Sequence, residues 1–261
     1  LTSVIVLIHN NSNIIGRCLD SLFLHCAEYL HEVIVVDNAS SDGGADFVER
    51  EFPSVKVIRN SANGCSSGRN LGVQNASGKY LAFFDSDQWF TSSSCFQEAL
   101  SILSRDANVG AVGWAAGWFE AGRDDLGGMI ADYCQNRAMN DAAIRHGYRS
   151  DIGYLGTGGF FLPKSVFDST DGFDVAYDPT CFEDTDISFK IMQSGKLIAL
   201  AYNSEAFQQE PEHLHDYYYQ RLRWAKGNYQ VVLKNFKYLF RRSNWRVKLE
   251  TFYYSCTFFW F

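Results

Sequence analysis

Proline is scarce in this 261-residue chain, with four, and methionine scarcer still, with three. So little proline, beside 46% hydrophobic residues, excludes a disordered or proline-rich chain and leaves a folded globule. Cysteine is present but its pairing pattern is missing. Cys18, Cys26, Cys65, Cys95, Cys134, Cys181 and Cys256 are odd in number and contain no C-x-x-C. That argues against a disulfide scaffold or a zinc site and predicts free thiols in a reducing compartment. Neither G-x-x-x-x-G-K-[ST] nor G-x-G-x-x-G occurs, which counts against P-loop and dinucleotide-binding enzymes. No internal repeat, low-complexity tract or flexible linker breaks the chain. No signal peptide precedes residue 1, which already reads as strand, so a natural N-terminus further upstream is expected. At this length the chain is expected to bury a sizeable core, as one α/β domain or two closely fused halves.

Charge is distributed unevenly. The formal net charge is −7, yet residues 220–248 carry nine basic side chains and no Asp or Glu. The rest of the chain therefore holds 14 basic against 30 acidic residues, a balance of −16. A basic block on an acidic protein is either a solvated helix face or the mark of a phosphate-rich partner: anionic lipid, nucleotide or nucleic acid. The block leads into the apolar, aromatic residues 252–261, the pattern of the cytoplasmic edge of a membrane span. A span needs ~20 residues, so this run is either the first half of one or a buried C-terminal helix.

Strands and helices alternate through the first hundred residues. Val4–Ile8, Val33–Val36, Val55–Ile58 and Tyr80–Phe84 are apolar runs suited to a sheet covered on both faces. Between them, helices are predicted over about Ile14–Cys26, through Phe47 and Val48, and around Arg69–Gln74. Such alternation predicts a doubly wound, mostly parallel sheet with helices on both faces and ligands outside the carboxyl ends of the strands. Asn10, Asp37, Asp85 and Asp87 follow those ends and are expected to line one crevice. The second half is less regular. Gly-rich stretches at 110–128 and 153–159 predict strands and loops close to a ligand. A helix is expected over Asp186–Gln193, a strand over Lys196–Tyr202, and a long helix from Asp216 to Phe240 interrupted around Gly227. Residues 120–150 show little periodicity.

Asp85 and Asp87, two apart, should point the same way off a strand end and together hold a hard divalent cation that bridges diphosphate oxygens. Read alone, D-x-D is as easily a turn or a helix cap.

In fixed order stand Val33–Gly43, Asn63-Gly64, Gly68–Gly72, Phe83-Phe84-Asp85-Ser86-Asp87, Gly156–Phe161, Phe182-Glu183-Asp184-Thr185-Asp186 and Gln220-Arg221-Leu222-Arg223-Trp224. Together they resemble family 2 inverting glycosyltransferases of the GT-A fold over nearly the whole chain. The last block matches the Q-x-x-R-W signature of membrane-embedded synthases. The resemblance implies four segments: a nucleotide-sugar half (1–88), an acceptor and catalytic half (89–205), an interfacial helical segment (206–243) and the start of a membrane-associated segment (244–261).

It also implies roles. Asp37 would hydrogen-bond the nucleobase, with Asn10 and Arg69 lining the same pocket. Asp85 would contact ribose and metal, Mg²⁺ or Mn²⁺, and Asp87 would be the principal metal ligand. Asp184 is similar in position to the general base, and a carboxylate opposite the leaving diphosphate suits inversion. Glu183 and Asp186 would raise its pKa by repulsion or cap the following helix, the cap being the preferred reading for Asp186. Gly158 and Gly159 would let backbone approach the sugar or the acceptor. His213 or His215 would add a metal ligand, unless they are surface residues flanking Leu214. Gln220, Arg223 and Trp224 would bind acceptor and diphosphate, Trp224 as a stacking platform.

The expected partners are a nucleotide-diphosphate sugar, UDP by resemblance, a glycan or lipid-linked acceptor, and an anionic membrane surface, with no nucleic acid. The loop Asp37–Gly43 is closer to single-addition transferases than to synthases, so processivity stays open. The sequons at Asn10, Asn38 and Asn75 sit on or near the nucleotide site, where glycans would block it. The cytoplasmic face of a membrane is the consistent location. The alternatives are an anionic-membrane-binding scaffold and a catalytically idle relative of the fold.

Overall fold

The structure, a computed structural model, describes residues 1–114, 117–119, 129, 148–149, 154–156, 158–179, 181–201, 206–209, 211 and 213–241. The expected membrane-associated segment 244–261, most of 120–150, and Thr157 lie outside the described residues.

Strand β1 (Thr2–Ile8) is buried at all seven positions, as an unbroken apolar run requires. β2 (Leu30–Asn38) and β4 (Tyr80–Asp85) flank it in parallel, and β3 (Lys56–Asn60) follows β2. Beyond β4 come β9 (Phe160–Pro163), β6 (Val109–Trp114), β10 (Leu197–Ala201) and β8 (Tyr148–Arg149), giving one eight-stranded sheet of order β3-β2-β1-β4-β9-β6-β10-β8. Only β9 and β8 run antiparallel to their neighbours. The sheet passes without interruption from strands of residues 1–88 to strands of residues 89–205, which makes the two segments one body. A second sheet joins β5 (Gln88–Phe90), β11 (Ala206–Gln208) and β7 (Gly117–Phe119).

Alternation along each strand separates two cores. Val4, Val6 and Ile8 face one side with Val33, Val35 and Phe84; Ile5 and Leu7 face the other with Ile34, Val36 and Phe83. Helices α1 (Ile15–Cys26), α2 (Gly44–Glu51) and α4 (Ser94–Arg105) cover the first face through Leu19, Leu22, Val48, Phe96 and Ile102. Helices α3 (Cys65–Gln74), α5 (Lys164–Asp168) and α6 (Glu183–Gln193) cover the second through Val73, Phe167, Ile187 and Ile191. Cys18, Cys26, Cys65, Cys95 and Cys181 are free thiols.

The long C-terminal helix differs from the sequence expectation. α7 runs from Leu214 to Lys234 straight through Gly227, and the break falls at Asn235, before α8 (Phe236–Arg241). Gly227 is a contact point: a Cβ there would stand well inside van der Waals contact distance of the Cys181 carbonyl oxygen. Val231 and Leu239 then pack with Tyr177 and Phe189 in a small third core that fixes α7 and α8 to α6.

Candidate active site

Parallel strands deliver their carboxyl ends to one edge. Register sets Asp37 opposite Ile8 and Asp85 opposite Leu7, so both acids flank β1, separated by two strand spacings of about 10 Å in all. The loops above this edge are tied together. The Asn10 side-chain oxygen accepts the Ser41 N–H at 2.8 Å, and Asn10 N–H donates to Ser40 Oγ at 3.0 Å. Buried Asp37 accepts the Ser40 N–H at 3.0 Å. Asn10 and Asp37 thus shape one and the same loop.

Arg69 is bonded on the Asp85 side of these strand ends. From α3 its guanidinium reaches across the sheet end, Nη2 donating to Asp85 Oδ1 at 2.9 Å and Nη1 donating to Glu183 Oε1. It is almost wholly buried. Burial alone would lower its pKa, but the charges of Glu183 and Asp85 hold it above its ordinary value. Glu183 is equally buried, its Oε2 has no hydrogen-bond partner among the described residues, and burial pushes its carboxyl up to about 7 against the pull of Arg69. Neighbouring Asp184 adds to that rise.

Asn70 of the Gly68–Gly72 block has a structural role. Asn70 exchanges two hydrogen bonds with the backbone of Phe173, at 2.7 and 3.0 Å. The first turn of α3 is capped from afar, Asp178 accepting the N–H groups of Ser66 at 2.8 Å and Ser67 at 3.0 Å. The chain before α6 is therefore wrapped around α3, which brings Glu183 and Asp184 to the strand ends.

Asp85 and Asp87 do not share a strand. β4 ends at Asp85, and residues 86 and 87 turn the chain into β5, so strand alternation does not decide where Asp87 points. Both acids lie close enough to Cys18 for their charges, after burial itself, to push its thiol up. Gln88 braces the turn: its side chain accepts the Asp85 N–H at 3.2 Å and donates to the Gly158 carbonyl at 2.7 Å. A Cβ at Gly158 would stand 2.9 Å from Gln88 Nε2 and 3.4 Å from Asp85 Oδ2, so glycine leaves the Asp85 carboxylate its space. Gly159 follows at φ +136° against Trp114. A Cβ at Gly156 would meet Asp184 Oδ2 at 3.8 Å, so the same loop passes beside both acids.

Asp184 heads α6 and accepts the Thr185 N–H at 2.7 Å. Asp186 is not the expected N-cap: the N-cap position is Phe182, and Asp186 lies inside the helix. Buried, it accepts Lys234 Nζ at 2.9 Å on both oxygens, Tyr177 Oη at 3.1 Å and Asn235 Nδ2 at 3.0 Å. It is the anchor of α7, two residues from Asp184. Neither Glu183 nor Asp186 therefore serves as a cap.

α7 borders a groove of about 590 Å³ lined by Pro179, Pro211, Asp216, Tyr219, Gln220, Leu222, Arg223 and Lys226. Gln220 and Arg223 are there, but Trp224 is not. It is half-buried, and the Arg221 guanidinium covers one ring face at 4.3 Å from the ring centre. Tyr219, exposed and in the groove, was not anticipated; its neighbour Gln220 had drawn attention to the helix but not to that face. His213 and His215 are both exposed at the start of α7; His215 pairs with Asp216 at 3.1 Å and lies over Tyr219. Among the described residues no three His, Cys, Asp or Glu side chains converge to hold a metal ion. His215 thus joins no such cluster with Asp85 and Asp87.

A mostly parallel sheet with acids at its strand ends, faced by an acidic helix start, defines a transferase domain of the GT-A type. The chain belongs to glycosyl transferase family 2, whose family model matches residues 3–168. It is similar to the probable glycosyltransferase YdaM of Bacillus subtilis (strain 168), 25% identical over 270 residues, which span 99% of this chain and 62% of YdaM. The chain thus spans less than two thirds of that relative's length. Among solved structures it resembles the mannosyltransferase PcManGT from Pyrobaculum calidifontis in complex with GDP-Man and Mn²⁺. There the TM-score is 0.68 and the identity 20%, over 90% of this chain and 64% of that one. It also resembles GalNAc-T7 with UDP, GalNAc and Mn²⁺, at TM-score 0.62 and 17% identity, over 79% of this chain and 43% of that one. At these identities the likeness is one of fold.

Proposed function

We propose that this chain is the catalytic domain of a metal-dependent inverting glycosyltransferase. It moves a sugar from a nucleotide-diphosphate sugar, UDP by resemblance, to a glycan or lipid-linked acceptor at the cytoplasmic face of a membrane. The observation that carries the reading is the bridge from Asp85 through Arg69 to Glu183, which holds a donor-side acid and the Asp184 turn at one end of the sheet. Asp184 takes the acceptor hydroxyl proton as the acceptor oxygen bonds to the anomeric carbon. The bond from that carbon to the diphosphate oxygen breaks on the opposite face, and configuration inverts. Asn10 and Asp37 receive the base, Gly158 and Gly159 border the sugar, and Gln220 and Arg223 face the acceptor or diphosphate.

The residues present fit a divalent cation of the Mg²⁺ or Mn²⁺ kind. Arg69 occupies Asp85 Oδ1, while Oδ2 faces the space that Gly158 leaves open. Asp85 and Asp87 would hold the ion, which would neutralise charge on the leaving diphosphate. The neighbours' complexes with Mn²⁺ and GDP-Man or UDP agree with this chemistry. Addition of one sugar or of many is open on the Asp37–Gly43 loop.

The test is a hydrolysis screen of UDP-, GDP- and dTDP-sugars with Mn²⁺, since slow donor hydrolysis needs no acceptor. Metal-dependent release of one nucleoside diphosphate is the expected result. No release from any of them, with the protein folded, favours the idle relative.

A further inference from the structure

α7 is fastened to Asp186, and Asp186 lies two residues from Asp184 on α6. Both carboxylate oxygens of Asp186 accept Lys234 Nζ at 2.9 Å, and Oδ1 also accepts Asn235 Nδ2 at 3.0 Å and Tyr177 Oη at 3.1 Å. Lys234 donates further to Asp174 Oδ2 at 2.6 Å, so three ammonium donors meet three carboxylate oxygens. Gln230 Nε2 adds a bond to the Ala176 carbonyl at 2.7 Å. Gln230, Lys234 and Asn235 all stand at the C-terminal end of the helix. The half before Gly227 is held more lightly: none of residues 214–226 is buried, and the Cys181 thiol donates to the Arg223 carbonyl at 3.6 Å.

Helical spacing decides what this end controls. At about 100° per residue, Gln220, Arg223, Gly227 and Lys234 fall within about 60° of arc on α7, with Arg223 about 16 Å before Lys234 along the axis. The face gripped by Asp186 is therefore the face that carries Gln220 and Arg223 in the groove. The acids of the crevice lie near it. Burial pushes the Cys181 thiol up, Arg223 pulls it down, and Asp184 and Glu183 push it further up, so one thiol senses all three charges. Val231, Leu239, Tyr177 and Phe189 already supply apolar contact between α6, α7 and α8. Apolar contact is non-directional, whereas hydrogen bonds to a buried carboxylate add direction.

We propose that Lys234 and Asn235 are positioning residues of the transferase: by gripping Asp186 they fix the rotation of α7 about its axis, and so aim Arg223 at the diphosphate of the donor. A slip of one residue in that rotation would turn Arg223 about 100° away. This role rests on the transferase reading and extends it to two residues that lie outside both the groove and the strand-end crevice. They act through Arg223, and all three ammonium donors of Lys234 are committed to the grip and not to a phosphate.

The test is equilibrium binding of UDP and UMP, and of GDP and GMP, each with Mn²⁺, to wild type, Lys234→Met, Arg223→Ala and the double variant. Reading a diphosphate against its monophosphate isolates the outer phosphate that Arg223 would meet. Lys234→Met is expected to weaken the diphosphate by about fivefold or more and the monophosphate by less than about twofold. Once Arg223 is alanine it should add nothing, because the two residues act in series. Lys234→Arg, whose fork can also meet two carboxylates, should recover about half of the loss or more. Amide hydrogen exchange over residues 217–226 should quicken by about tenfold in Lys234→Met. Asn235→Ala, which leaves Lys234 in place, carries the same comparison if Lys234→Met does not fold. Equal weakening of diphosphate and monophosphate, additive losses in the double variant, or unchanged exchange would each overturn the positioning role and leave the transferase reading intact. A folded wild type that binds none of the four nucleotides overturns both.

Discussion

Arg69 and Glu183, 114 residues apart in the chain, form a buried ion pair that also reaches Asp85. One guanidinium thereby joins α3, the end of β4 and the start of α6. A planar fork with several fixed donors can hold two carboxylates at once, which a lysine ammonium on a flexible stem does poorly. Arg69→Met would leave two acids facing each other without a cation and should cost about 3–5 kcal/mol. Arg69→Lys should recover only part of it. Urea unfolding measures both, and a loss below about 1 kcal/mol for Arg69→Met would show that the pair holds little together.

The carboxyl of Glu183 lies at about 7, above its ordinary value, chiefly because it is buried. A raised acid contributes stability that is present at low pH and lost as pH rises through the folded value. Glu183→Gln removes that titration. The melting temperature of wild type relative to this variant should therefore fall between pH 5 and pH 8. A wild-type advantage that grew over the same range would mean that Arg69 outweighs burial and holds Glu183 ionised.

Asp184→Asn keeps shape but cannot accept a proton. Donor binding should survive, while donor turnover falls by ~10²-fold or more. Turnover within a few-fold of wild type would remove Asp184 from the role of base.

Asp87→Ala probes the metal in isolation from the base. Affinity for UDP should lose its dependence on Mn²⁺, with the circular dichroism spectrum unchanged. If Mn²⁺ still tightens UDP binding as in wild type, the ion is held elsewhere.

Gly227→Ala tests how closely α7 docks. In an exposed helix this change gains up to about 1 kcal/mol. Here the new methyl would meet the Cys181 carbonyl, and overpacking should cost about 1–3 kcal/mol instead. Chemical denaturation gives the sign directly, and stabilisation would show that α7 can move away from residue 181 freely.

The first half was largely readable as sequence. The runs at Val4–Ile8, Val33–Val36 and Tyr80–Phe84 lie within β1, β2 and β4, because strands buried on both faces must be apolar at every position. α4 carries Phe96, Ala99, Ile102 and Leu103 at helical spacing, a signal legible in the sequence alone. β5, β7 and β11 are three residues each, too short for periodicity to register. At the site, Asp37 and Asp85 stand out because polar residues ending apolar runs are a local pattern, whereas Asp184 is marked only by the family resemblance.

By itself, then, the sequence determined the alternation of strands and helices, the two covered faces of the sheet and the acids at its edge, all written in short-range burial patterns. Only the tertiary structure decided what those groups meet. Arg69 bridges Asp85 and Glu183, and Asp178 caps α3 from more than a hundred residues away. Asp186 became the anchor of Lys234, Arg221 stacked on one face of Trp224, and Tyr219 came to line the groove. Each of these depends on how one helix is rotated and seated against another. Helix docking is set by complementary packing between distant segments, and spacing along one segment carries no record of its partner.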